Sequence, residues 1–234
     1  MQKLEKMSGN RPIELVERKG EGKKLIEYYG DFVPEQWITA AGAESYLIMK
    51  GGDPQAPEAT LDYSLRFMNP LAASMDGNYL RGVDRVMPMA DGVAIQQHDC
   101  HYGRMTEILE FKGVPVYKVG VPADNVVGIS QQYYRHELRE FRDFLEKVVG
   151  HPLDEKAVHE CYAKTNKINE LVRKIGELRK KDNSPITFSD FIRLNHYPLR
   201  VDYDTSIDAL TKIYEELKDA PGAHPEGAPR ILIM

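Results

Sequence analysis

DGVAIQQHDCHYGRMTEILEFKGVPVYKVG, residues 91–120, decides the fold. The apolar run in DGVAIQQHD reads as a strand. The amphipathic run over Tyr102–Lys112 reads as a helix that Gly113 ends, and VPVYKVGVP reads as the next strand. Strand, helix and strand in close succession are the unit of a parallel sheet, because parallel neighbours need a crossover between them.

The same alternation extends upstream. Leu25–Tyr29 is a short strand candidate. Pro34 fits the first position of a helix and Gly42 its stop. AESYLIMKGG is a second strand that closes on Gly51 and Gly52, and DPQAPEATLDYS is a loop. RFMNPLAASMDGNYLRG predicts a helix capped by Asn69 with Pro70 in its first turn. The order β-α-β-α-β-α-β predicts an α/β fold, a Rossmann-like parallel sheet flanked by helices.

After Ser130 the pattern changes to a helical segment. Tyr133–Val149 and Leu153–Lys181 predict long amphipathic helices. The second carries Ala157, Val158, Cys161, Ile168, Leu171, Val172, Ile175 and Leu178 at helical spacing. Residues 187–219 add two shorter helices. The expected organisation is a polar, loosely helical lead-in over 1–22, an α/β lobe over 23–129, and a helical segment packing on that lobe over 130–220. Residues 221–234 are a Pro/Gly linker ending in RILIM. That ending reads as the first strand of a second lobe missing from this sequence. The alternative is a terminal edge strand on the existing sheet.

Composition excludes several classes of function. Of 234 residues, 42% are hydrophobic and 29% charged, with a formal net charge of −5. There is no basic block and no aromatic-basic interleaving, so a nucleic-acid partner is not expected. No apolar run is long enough to span a bilayer, and MQKLEKMSGNRP lacks the apolar core of a signal peptide. The chain reads as cytoplasmic. Its two cysteines, Cys100 and Cys161, do not make a disulfide framework, and they cannot complete a four-thiolate site within one chain.

Cys100 stands between His98 and His101 where a strand ends and a helix begins. Parallel sheets place ligand sites at strand C-termini, and helix N–H groups suit an anionic ligand. The other reading is a half-buried structural thiol. His98 and His101 are too closely spaced for a structural zinc site and read as polar loop residues or substrate contacts. Cys161 lies on an apolar helical stripe and reads as core. Asp31 and Glu35 border the turn at Pro34, where acid–base work and simple stabilisation by the helix dipole are both open. Arg104 could pair with a carboxylate, with substrate or with a phosphate. The sequence contains no Gly-rich phosphate loop, Ser-elbow or zinc-protease helix, so any ATP hydrolysis belongs to a partner.

YYGDFVPEQWITAAGAESYLI, NPLAAS, DGVAIQQHDCHYGRMTE and VPVYKVGVP, followed by two long helices, resemble in order and spacing the benzoyl-CoA reductase / 2-hydroxyacyl-CoA dehydratase family. The resemblance covers roughly residues 23–234. It implies a two-lobed subunit that pairs with a homologous subunit and holds a 4Fe–4S cluster through about three cysteines. It also implies an ATP-hydrolysing iron–sulfur activator protein that delivers a low-potential electron. The cluster passes that electron to an acyl-CoA thioester, giving a ketyl radical anion that loses a hydroxyl or leads to ring reduction. Cys100 falls on the strand-tip cluster ligand. Arg104 matches an arginine often found four residues later, and His101 replaces the family's usual aspartate. Asp31 to Glu35 match a turn that walls the active site. Asn69 occupies the usual first ligand position, and a third ligand would come from the second lobe.

The resemblance implies catalytic roles for Asp31 and Glu35, substrate contacts at Arg104 and His101, and a cluster ligand at Cys100. An amide is a poor iron ligand beside thiolate, and Asn69 is also explained as a helix cap. The chain is therefore expected to be a subunit of an oxygen-sensitive iron–sulfur reductase or dehydratase. The alternatives are a non-catalytic scaffold with a degenerate cluster site, or an iron–sulfur electron-transfer relative.

Overall fold

The computed structural model describes residues 2–124, 126, 128–225, 227–229 and 231. They form two compact units, residues 12–161 and residues 1–11 with 162–234. The elements run α1 (Gln2–Gly20), β1 (Leu25–Tyr29), α2 (Glu35–Ala40), β2 (Glu44–Leu47), α3 (Gln55–Glu58), α4 (Pro70–Leu80), β3 (Gly92–Gln97), α5 (Cys100–Phe111), β4 (Val116–Gly120), α6 (Gly128–Val149), α7 (Glu155–Leu178), α8 (Phe188–His196) and α9 (Tyr203–Leu217).

In the unit of residues 12–161 all four strands are parallel, in the order β2-β1-β3-β4. The expected α/β architecture is therefore present. Side chains alternate across the sheet as the pleat requires. Val93 and Ile95 of β3 pack on one face with Ala72 and Met75 of α4 and Met105 and Leu109 of α5. Ala94 turns to the other face, with Ile26 and Tyr28 of β1, Ile38 of α2, and Phe141 and Leu145 of α6. Both faces are covered, which explains why β3 is continuously apolar over Val93–Ile95 rather than alternating. Right-handed crossovers on a sheet of this order put α2 and α4 on opposite faces.

Helix starts follow local chemistry. The Asn69 side chain accepts from the N–H of Leu71 at 2.9 Å and of Ala72 at 3.4 Å, with Pro70 in the first turn. Such a cap contributes about 1 kcal/mol. Helix α5 starts at Cys100, two residues before the expected Tyr102, because Asp99 caps it. Its Oδ1 accepts from the N–H of His101 at 2.8 Å and of Tyr102 at 3.1 Å. Pro34 precedes α2 instead of opening it. The segment expected as a plain loop after Gly52 contains the short α3, which lies so close to α4 that a Cβ on Gly77 would sit 1.7 Å from the Ala56 carbonyl oxygen. The expected loose lead-in is the continuous helix α1.

In the other unit, Leu4 packs with Ile168, Leu171, Ile175, Ile186, Leu194, Leu210 and Ile213. Thr187 caps α8 and Asp202 caps α9. Cys161 on α7 is half-buried, less enclosed than its place on the apolar stripe suggested. The expected final strand rests on Arg230 and residues 232–234, which lie outside the described residues.

Candidate functional site

A sheet of order β2-β1-β3-β4 has its switch point between β1 and β3. The crossover from β1 leaves toward β2, while the one from β3 leaves toward β4. Ligands of open α/β sheets bind in the crevice at the carboxyl ends of such strands. Here Tyr29 pairs with Ile95 at the last rung, so the chain beyond it, Gly30–Pro34 and Gln96–Cys100, forms the two lips of that crevice.

The lips are tied together by Gln96. Its Oε1 accepts the Phe32 N–H at 3.1 Å, and its Nε2 lies 2.9 Å from His98 Nδ1. Because the Phe32 amide can only donate, it fixes the amide so that Nε2 donates to the imidazole. Phe32 is held from its other side by Tyr134, whose hydroxyl donates to the Phe32 carbonyl at 2.7 Å. The His98 ring lies 4.4 Å from that of Tyr102, and the Tyr102 hydroxyl is 2.6 Å from that of Tyr29. Burial, and then this bond to Tyr29, push the Tyr102 phenol up.

Cys100 is the first residue of α5 and is exposed. With His101 and Arg104 it lines one side of a groove of about 530 Å³, whose other side is the segment Leu61–Ser64, Leu65, Phe67 and Met68. That segment is pinned through Tyr63. Its carbonyl accepts two N–H groups of Arg104, one from Nε at 2.9 Å, and its hydroxyl accepts from Lys112 at 2.6 Å. Arg104 also pairs with Glu107 at 2.8 Å. Asp76 of α4 is fully buried, and neither carboxylate oxygen has a hydrogen-bond partner among the described residues. Burial raises its pKa to about 8, against an opposing pull from Arg104.

The family model for 2-hydroxyglutaryl-CoA dehydratase, D-component, matches residues 32–234. The chain belongs to that family. Comparison with curated proteins gives no match.

Against the dehydratase family, the residues singled out in the sequence separate into two groups. Cys100, His101 and Arg104 come together on one groove, and Asn69 directly follows Met68 of its opposite wall. Asp31 and Glu35 do not line this groove. Asp31 is exposed in the turn after β1, and Glu35 opens α2. Gln96, Tyr63 and Asp76 were not singled out. An acid inside the small and apolar run AASMDGN was a signal for Asp76, but the contacts of Tyr63 with Arg104 span 41 residues and leave no local trace.

The donor set does not by itself fit an iron–sulfur cluster. Among the described residues no three His, Cys, Asp or Glu side chains are grouped so as to hold a metal ion. Cys100 is the groove's single thiol. The Asn69 amide oxygen is already engaged by two backbone N–H groups. Among the described residues no helix is long and apolar enough to cross a membrane.

Proposed function

We propose that this chain is one component of a cytoplasmic dehydratase complex that removes water from a 2-hydroxyacyl-CoA thioester by low-potential one-electron reduction. The observation that carries the reading is the position of Cys100. In a chain of the dehydratase family, an exposed thiol opens a helix at the sheet's switch point and faces a groove large enough for an acyl group. On this reading Cys100 gives one thiolate to a 4Fe–4S cluster, and the other ligands come from outside the described residues. A homologous subunit completes the complex, and a separate ATP-hydrolysing iron–sulfur activator supplies the electron.

The chain's own residues would bind and orient the thioester. His101 presents a half-buried ring to the groove. Arg104 holds the opposite wall through Tyr63 and so shapes the binding surface. Asp31 and Glu35 border the other lip of the crevice, where they could exchange protons with substrate.

A scaffold role is the second reading, and Asn69 favours it, since its side chain is committed to capping α4. The two readings separate in one experiment. The chain is purified anaerobically with its co-purifying partner and assayed for 2-hydroxyacyl-CoA dehydration with activator and ATP. Loss of activity in Cys100→Ala supports the catalytic component. Full activity in that variant supports the scaffold.

A further inference from the structure

The family takes its name from a thioester whose acyl group ends in a carboxylate. The groove beside Cys100 is poorly suited to such an end. Resting on the acyl-CoA reading above, we propose that this groove is the acyl subsite and that it selects an uncharged aliphatic or aromatic acyl group over one ending in a carboxylate.

Met68 is buried at the groove and Leu61 is half-buried, while Leu65 and Phe67 stand 65% and 75% exposed at its rim. Large apolar side chains held open to water beside a concave surface mark a place where an apolar group gains by binding. The wall is held in shape by the Arg104 and Lys112 contacts to Tyr63. The volume of about 530 Å³ falls within the usual range for small-molecule sites.

Charge points the same way. A carboxylate entering the groove must give up hydration, which is costly without a cation to replace it. Among the described residues Arg104 is the one Lys or Arg lining the groove, and its guanidinium already serves the Tyr63 carbonyl and Glu107. Lys112, which does not line the groove, is bound to the Tyr63 hydroxyl and lies over that ring. The groove contributes an acid of its own in Asp62, which repels a second carboxylate. Three of the five guanidinium N–H groups are taken, two by the Tyr63 carbonyl and one by Glu107, so an entering carboxylate meets a cation whose charge Glu107 already balances.

The test compares two thioesters on the full chain with its co-purifying partner. One is 2-hydroxyglutaryl-CoA. The other is 2-hydroxy-5-methylhexanoyl-CoA, in which an isopropyl group replaces the distal carboxylate. Free CoA is the reference, and binding is read by anaerobic titration calorimetry. The uncharged thioester should bind about tenfold tighter or better, the discrimination expected from one buried branched group. Leu65→Arg, at an exposed position that does not carry the fold, should shrink or invert that preference, and Leu65→Met should keep it. Equal or tighter binding of 2-hydroxyglutaryl-CoA overturns the assignment while leaving the acyl-CoA reading in place. So does an unchanged preference in Leu65→Arg. If neither thioester binds better than free CoA, the acyl-CoA reading fails and takes the subsite with it.

Discussion

The side chain of Gln96 fills the space where a Cβ on Gly30 would stand, with its Cδ 2.1 Å from that point. Gly30 has φ +107, a backbone region that side chains other than glycine's rarely adopt. The two residues together let the lips of the switch-point crevice meet, since Gln96 reaches the Phe32 amide only across a bare glycine.

Gly30→Ala should therefore destabilise the chain by more than about 1 kcal/mol, from backbone strain and from displacement of Gln96. Urea unfolding measures it. Adding Gln96→Ala to Gly30→Ala should recover the steric part and leave the strain, so the double variant lies between wild type and Gly30→Ala.

Asp76 makes stability depend on pH. Its ordinary value is 3.8, and burial raises it to about 8 in the folded chain. Below about pH 4 both folded and unfolded chains hold the proton. Between about 4 and 8 the unfolded chain ionises first, so stability falls as pH rises, and above about 8 the loss levels off. Asp76→Asn removes this dependence. Relative to wild type it should be more stabilising at pH 8.5 than at pH 5, by an amount on the order of a few kcal/mol. A difference independent of pH in paired urea titrations would contradict the assignment.

Asn69→Ala should cost about 1 kcal/mol through loss of the α4 cap, and Asn69→Asp should cost little, because a carboxylate also caps. Thermal unfolding of the two variants checks the ordering. Equal destabilisation by both would mean that the amide has some other task.

The wall of the groove should loosen when its latch is removed. Arg104→Ala frees the Tyr63 carbonyl, and Arg66, exposed three residues later, becomes a better trypsin site. Cleavage after Arg66 should accelerate severalfold in Arg104→Ala. Glu107→Ala breaks only an exposed ion pair and should change it little.

Much of the framework is legible in the residues themselves. The strands at Leu25–Tyr29 and Gly92–Gln97, the Asn69 cap and the long helices announce themselves through apolar runs, capping chemistry and helical spacing, all of which are local. Asp99 was an equally local signal for an α5 start at Cys100, but the polar QQHD run obscured it. What could not be read depends on distant contacts. The Gln96 amide joins β3 to the turn after β1, 64 residues away. Tyr63 becomes a wall only through α5. The association of residues 1–11 with 162–234 joins opposite ends of the chain. Cys100, His101 and Arg104 share a groove because Arg104 lies four residues after Cys100 and three after His101, next to both on the first turns of one helix. Asp31 and Glu35 follow a different strand, in and just after the other lip.

The most direct measurement is iron and acid-labile sulfide in the anaerobically purified complex, comparing wild type with Cys100→Ser, with cluster content assigned to each subunit after separation. If Cys100 is a cluster ligand, this chain carries about four irons in wild type and loses most of them in Cys100→Ser, while the partner's content holds. Equal iron on this chain in both would contradict a ligand role for Cys100, and iron confined to the partner in wild type would contradict it and leave the chain a scaffold of its complex.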